Sequence, residues 1–483
     1  MKLPSFFRKK SSKSQVILNR RIYRGFDAVD SQLMSDINNL YVSNSDINDV
    51  ISSSWYTIVS RARQAYNNSD YPKHFVSLAC VNVIGQKGIN VQCQSNSKEL
   101  NLDVEGRFKQ WSEVCDVSGR LSFVDVQILA LKSMIRDGEF FLIKHIDDDN
   151  QLKLQLIDAS RLDPSKNIDL GNGRKILNGI EVDTLGKPLA YHFKKNNANE
   201  TVRYKAEHVV HGYLTDYIGQ MRGISWFITP MIRLHLLKEF ETAAVDHAKT
   251  GAKFLGFFRK DEDTPESDDT PEIHKYEGSG MFELPPGYQF DGFDPAFPSG
   301  DYAPFKTSIL QAISGSLGYG VSYVSLANDL KGVSYSSARQ GALAERNAWS
   351  MVQQHMISCL IRPIYRAWLE VERLSGRLVC SDNRYQGLKL AHYIPRSWSS
   401  IDPQKEAKAL EILLKNFLKS RKQIVTEQGM DIDKVDSEIL QDANQFKICN
   451  ETSPEYISYL LGTLQMSLEE DKAEDDDGKD DEE

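Results

Sequence analysis

No run in the 483 residues approaches the roughly 18 consecutive apolar residues of a membrane-spanning helix, and the first residues, MKLPSFFRKKSSKSQVILNRR, lack an apolar signal core and a small-residue cleavage site. The expectation is a chain that neither enters a membrane nor is secreted by the ordinary route. Cysteine is sparse: Cys80, Cys93, Cys115, Cys359, Cys380 and Cys449 are scattered, with no CxxC pair and no histidine at metal-ligand spacing. Buried, reduced thiols in a cytosolic protein are expected. Also missing are a GxxxxGK[ST] phosphate loop, an HExxH helix and a GxSxG nucleophile elbow. Gly278-Ser279-Gly280 and Gly315-Ser316-Leu317-Gly318 have no following lysine and read as turns or close packing. No residue reads as a nucleophile, and no catalytic residue, metal or cofactor is assigned.

Positive charge is short where nucleic acid would be gripped. Residues 1–24 carry eight Lys or Arg and no acid, residues 469–483 carry eleven acids and two lysines, and the whole chain is −9, which leaves −8 for the middle. Tight DNA binding neutralises many phosphates with basic side chains, so any contact with DNA should be loose. The basic arm could meet nucleic acid, an acidic partner or nothing specific. The acidic tail should stay disordered, because one sign of charge repels itself and has nothing apolar to bury.

What is present is an ordinary folding composition, 41% hydrophobic and 26% charged, in a chain long enough for two to four domains. Helical spacing over 52–85 gives way to a strand from Gly88 and a helical stretch near 100–134. Alternating strands FFLIKHI and LKLQLID follow, around a polar turn at Asp147 to Gln151. The strands NGIEVDTLGKPLAYHF and TVRYKAEHVVHGY come next; His208 and His211, three apart in a strand region, point to opposite faces and suit no joint ligand role. A helix is predicted from about Pro230 to Thr250, then strands KFLGFFR and MFELPPGYQF flanking the acidic, proline-broken DEDTPESDDTPE.

The chain is organised around residues 301–374. Tyr302, Phe305, Ile309, Ile313 and Leu317 mark one amphipathic helix, with Pro304 tolerated in its opening turn and its end near Gly318 and Gly320. Ala338, Ala342, Trp349, Val352, Met356 and Leu360 mark a second, beginning at Tyr335-Ser336-Ser337 as a hydroxyl cap and kinked or restarted at Pro363. The intervening VSYVSLANDLKGVS has turn formers and no sustained helical period, which suits a functional loop or a plain surface connector. Asp402-Pro403 and the capping-box spacing Ser420-Arg421-Lys422-Gln423 start further short helices, with others near 433–442 and 454–466.

The run GSLGYGVSYVSLANDLKGVSYSSARQGALAERN resembles the corresponding segment of the lambda-type portal proteins of tailed bacteriophages, in which a glycine-ended helix, an ND or GD turn and a YSSAR helix start follow one another. Other pieces match in order: SRARQAYNN, Asn82-Val83-Ile84-Gly85, LQLIDASRLD, GIEVDTLGKPLAYH, Arg222-Gly223-Ile224-Ser225-Trp226 at the opening of a long helix, and WSSIDPQKEA. The resemblance implies an α+β portal fold. Its parts would be a flexible basic arm (1–50), an α/β wing (51–222), a first stem helix (223–250), a small α/β clip (251–300) and a second stem helix (301–320). A tunnel loop (321–336), a long helix returning to the wing (337–398), a helical crown (399–466) and an acidic tail (467–483) would complete it.

It also implies a ring, expected to be a dodecamer, at one capsid vertex, assembled in the host cytoplasm and passing double-stranded DNA during packaging and ejection. The implied partners are the terminase large subunit, the major capsid protein, scaffold and head-tail adaptor proteins, without a membrane. Tunnel-loop residues would be Ser325, Asn328, Asp329, Lys331 and Ser334, with Tyr335, Ser336, Ser337 and Arg339 at the following helix start. Asp261, Glu262, Asp263, Asp268 and Asp269 would lie where partners dock on the clip, or form a merely solubilising insertion. Lys331 could instead pair with Asp329. Two other readings stay open: a nucleic-acid-processing enzyme using Asp158, Asp163 and Glu181, and a ring-forming adaptor without a DNA channel.

Overall fold

A computed structural model describes residues 46–195, 200–253, 256–260, 274–275, 282–283, 288–292, 302–329, 331, 334–398, 403–428, 430, 432, 435–442 and 444. The acidic 261–269 stretch, Cys449, Asp402 and the expected 454–466 helix lie outside these. Helices α1 (Ile47–Asn68) and α2 (Asp70–Ala79) lead to strand β1 (Asn90–Gln92), and α3 (Lys98–Glu113) and α4 (Phe123–Asp137) replace the single helical stretch expected there. Then come β2 (Glu139–Ile146), β3 (Leu152–Ile157), β4 (Ile168–Gly171), β5 (Arg174–Leu177), β6 (Ile180–Val182), β7 (Pro188–Lys194), β8 (Thr201–Lys205) and β9 (Val209–Tyr213). Helix α5 (Met231–Lys253), strands β10 (Gly256–Lys260), β11 (His274–Lys275), β12 (Phe282–Glu283) and β13 (Tyr288–Gly292), and helix α6 (Tyr302–Ser316) follow. The chain continues through α7 (Tyr323–Ala327), α8 (Tyr335–Met356), α9 (Arg362–Leu374), α10 (Asp382–Lys389), β14 (His392–Ile394), α11 (Pro403–Lys415) and α12 (Arg421–Glu427).

The chain forms two compact units. One takes the chain up to Ser77, Leu129–Lys144 and Gln155–Lys331; the other takes Leu78–Ile128, His145–Leu154 and the chain from Gly332. In the first, an antiparallel β4-β5-β6-β7-β8 sheet and a β3-β2-β9 sheet pack with α1 around one core. Ile51, Trp55, Val59, Phe141, Ile143, Leu162, Ile180, Val182, Tyr191 and Phe193 make one apolar cluster. Strand β2 is buried on both faces from Glu139 to Ile143, and the two-residue period places Phe141 and Ile143 together on the face that joins this cluster.

The second unit is centred on aromatic rings. Phe108 meets Trp111, Phe123, Tyr365 and Trp368 with ring centroids 5.0 to 5.9 Å apart. Asn82, from the NVIG motif, is a hub: its carbonyl accepts from Gln353 Nε2 at 3.0 Å, its side-chain oxygen accepts from Trp398 Nε1 at 2.9 Å, and its amide donates to the Leu78 carbonyl at 3.0 Å. The kink expected at Pro363 is realised as a π-helical turn over Ile357–Ile361 that passes directly into α9, where proline occupies an early position needing no donor. At Ser420 both reciprocal bonds of the capping box are formed.

Cys80, Cys93, Cys115, Cys359 and Cys380 form no disulfide; among the described cysteines Cys93 and Cys115 are buried as residues and the other three half-buried. Burial pushes the Cys93, Cys115 and Cys359 thiols up to about 12, which keeps them protonated and unreactive at neutral pH.

Candidate nucleic-acid interface

The seat of the loop begins with two motifs far apart in sequence, Asp137-Gly138-Glu139 and Arg222-Gly223-Ile224-Ser225-Trp226. Glu139 and Arg222 are both fully buried, with Arg222 Nε donating to Glu139 Oε1 at 2.7 Å. The rest of the guanidinium donates to the carbonyls of Leu162 at 3.2 Å and Asn178 at 3.0 Å, and it lies 4.7 Å from the Trp55 ring centroid. The other Glu139 oxygen accepts from the Gly223 amide at 3.0 Å and from His211 Nε2 at 2.9 Å. Burial alone would push the Glu139 carboxyl up, but Arg222 and His211 hold it below the ordinary carboxylate value. Burial pushes the His211 imidazole down, so it serves as a neutral donor.

Between these charges the backbones touch. A Cβ on Gly138, whose φ is +94°, would lie 2.5 Å from the Ile224 carbonyl carbon, and one on Gly223 would lie 2.1 Å from the Gly138 oxygen. Trp226 N–H then donates to the Ile135 carbonyl at 3.1 Å. RGISW is thus a buried clamp that lies shortly before α5, which starts at Met231.

Beyond it, α5 and α6 pack through Phe240 against Tyr302 and Phe305, at 5.4 and 4.9 Å between centroids. Lys306 Nζ lies 2.8 Å from Glu241 Oε1, which also accepts from Tyr71 Oη at 2.9 Å. Helix α6 ends as its glycines dictate: Gly318 (φ +56°) leaves no room for a Cβ, which would meet Trp226 Cε3 at 2.6 Å, and the Val321 amide returns to the Ser314 carbonyl at 3.1 Å.

The segment expected as an aperiodic loop contains α7, five residues capped by left-handed Asn328 (φ 53°). Leu326 is buried and Ser325 is half-buried within this helix, so Ser325 belongs to the base of the loop. Asn328, Asp329, Lys331 and Ser334 are exposed. Asp329 Oδ1 accepts from the Lys331 backbone amide at 2.9 Å.

In the second unit α8 starts at Tyr335, but its cap is Ser334, one residue earlier than expected: the Ser334 hydroxyl accepts from the Ser337 amide at 3.3 Å and donates to the Ser337 hydroxyl at 2.9 Å. Ser336 and Ser337 are exposed, and Arg339 is half-buried on the next turn.

The carboxylates weighed for an enzyme do not converge. Asp158 pairs with Arg63 at 2.9 Å, Asp163 with Lys194 at 2.9 Å and Glu181 with Arg203 at 2.8 Å. Burial works against Asp158 and Asp163, yet hydrogen bonds and these cations hold both below the ordinary value. The Arg203 bond does the same for Glu181. Each is a locked anion in its own ion pair. Among the described residues no three His, Cys, Asp or Glu side chains are placed to hold a metal. His208 is exposed beside Glu207, whereas His211 is buried at Glu139. No described helix is long and apolar enough to cross a membrane.

The described residues form a two-unit α+β chain with a glycine-ended helix and a clamped loop base. A sequence description of the lambda family of phage portal proteins matches residues 35–353. The chain is 31% identical over 471 residues to a "Probable portal protein" of Halomonas phage phiHAP-1, covering 91% of this chain and 90% of that one. The chain belongs to the lambda family of phage portal proteins. Among solved structures it is similar to the neck of an empty GTA particle computed with C6 symmetry, at 14% identity over 77% of this chain and 93% of that one, TM-score 0.44. It is also similar to the virion of a native gene transfer agent particle, at 13% identity over 80% and 99%, TM-score 0.43.

Proposed function

We propose that copies of this chain close into a ring, twelve by family expectation, around double-stranded DNA at a capsid vertex, and that the loop after α6 faces the duplex. The observation that carries this reading is the loop's construction: a buried, hydrogen-bonded base through Leu326 and a polar tip of exposed Asn328, Asp329, Lys331 and Ser334. In a closed ring each tip residue is repeated once per subunit, so one weak contact becomes a band. DNA carries about one negative charge per 1.7 Å of axis. A chain of net −9 cannot grip that charge strongly. A single lysine ring at Lys331 lets the duplex slide while limiting slippage.

The ring works without a catalytic centre of its own, and ATP hydrolysis belongs to the terminase large subunit. That motor, and later the head-tail adaptors, dock at residues 251–300, where Asp261, Glu262, Asp263, Asp268 and Asp269 supply charge for partner selection. Capsid protein and scaffold contact the ring during assembly in the host cytoplasm.

The mass of the purified assembly tests the ring: a particle many times the 54.8 kDa of one chain, with a central hole wide enough for a duplex in negative-stain images, is expected. A particle near one chain's mass, or a ring without an opening, defeats the reading. Lys331→Ala should leave ring mass unchanged and reduce the fraction of DNA retained after packaging; unchanged packaging and retention would remove the lysine's role.

A further inference from the structure

We infer that α2 is the element that holds the loop in place, and that His74 is a positioning residue for the loop tip. The inference rests on the portal reading only for what the tip does; the contact itself is geometric. Tyr71, His74 and Phe75 share one face of α2, at i, i+3 and i+4. Tyr71 bonds Glu241, the same carboxylate that Lys306 reaches from α6, so this end of α2 is fixed to both helices of the α5–α6 pair. Phe75 packs on Trp226 and Phe227 at 6.2 and 6.3 Å, under the ring against which Gly318 closes α6. Between them, His74 Nε2 lies 3.1 Å from the Ser325 carbonyl oxygen, across 251 residues of sequence.

His74 Nε2 reaches α7 at its third residue, within the turn where the amides of Asn328 and Asp329 both go to Val324. A carbonyl oxygen only accepts, so His74 Nε2 carries the hydrogen. The bond ties α7 to α2 three residues before Asn328, where the chain turns left-handed into the exposed tip. Without it, α7 keeps Leu326 in the core but loses the tie that sets the angle of Asn328, Asp329 and Lys331.

Hydrogen exchange on assembled rings reads this directly. His74→Ala should speed amide exchange across 323–329 about fivefold, the effect of losing one ordinary hydrogen bond, with α4 and β2 amides unchanged and the ring intact. His74→Gln, whose amide nitrogen has similar reach, should restore slow exchange and, in packaging assays, the DNA retention that the alanine variant loses. If alanine disturbs folding, His74→Leu fills the space without a donor and should show the same local acceleration. Unchanged exchange at 323–329 in both donor-less variants, or a glutamine variant that behaves like them, overturns the inference. Accelerated exchange with unchanged retention leaves the tie standing but refutes His74 as a positioning residue, whereas wild-type rings that pass no DNA refute the portal reading instead.

Discussion

Glu139→Ala is expected to lower the stability of the first unit by about 3–5 kcal/mol, because it leaves the Arg222 guanidinium buried without its counter-charge. Both side chains are fully buried and their nitrogen and oxygen atoms are 2.6 Å apart at closest. Pairing Glu139→Leu with Arg222→Met should cost clearly less than the two single changes added together, by roughly 1.5 kcal/mol or more. It will not be free, since the carbonyls of Leu162 and Asn178 lose their donor. Urea unfolding of the four proteins measures the cycle, and strict additivity would show that the pair is not coupled. The sign of the pH effect follows from the same cluster. His211 and Glu139 are both depressed in the fold, so the stability each contributes is present above its ordinary value, 6.5 and 4.5, and is lost as pH falls through the lower folded value. Acidification below about pH 6.5 should therefore weaken the wild type progressively, and the double variant, which lacks Glu139 and its pull on His211, should show a different and shallower profile below about pH 4.5.

Gly138→Ala should cost about 4 kcal/mol or more and prevent accumulation of soluble protein, because the new methyl would collide with backbone rather than with a side chain that can move. Its Cβ would sit 2.5 Å from the Ile224 carbonyl carbon and 2.7 Å from the Ile224 nitrogen, at a φ of +94°. Gly119→Ala is the matched control: φ is +68°, but nothing lies within 4 Å of the added carbon. That change should cost only the left-handed backbone penalty, about 1–2 kcal/mol. Equal thermal shifts for the two variants would mean that close approach of the two glycine motifs contributes nothing and that conformation alone is at stake.

Much of this arrangement was legible in the residues. The apolar spacing of Tyr302 to Leu317, the proline in the opening turn, the glycines that stop that helix, and the cap-and-box spacing at Ser420 are local signals, and local signals need no partner to be read. Arg222 and Glu139 were different. RGISW was readable as lying at the approach to a helix, but its pairing with Glu139 spans 83 residues and only the oddity of an acid leading into the buried run Phe140 to Ile143 hinted that a cation must be near. Helix α7 escaped for the opposite reason: five residues are too few for a period, and contacts from Leu326 and His74 decide its shape. The donor to Ser325 lies 251 residues upstream, beyond any motif. The three carboxylates set aside for catalysis carried no local mark separating a reactive acid from a paired one; their partners Arg63, Lys194 and Arg203 supply that distinction only in three dimensions.

The π-helical turn between α8 and α9 has a consequence for how this chain can change length. Stretches of 22, 5 and 13 residues succeed one another there without leaving helical geometry. The wider turn sets the angular phase between the two α-helical stretches, placing Ile364, Tyr365, Trp368 and Leu369 inside and Arg362 outside. Removing or adding one residue anywhere in that rod would rotate everything beyond it by about 100°, carrying arginines toward the aromatic core. Insertions and deletions acquired over evolution should therefore be shut out of this rod and accumulate in the connections between elements.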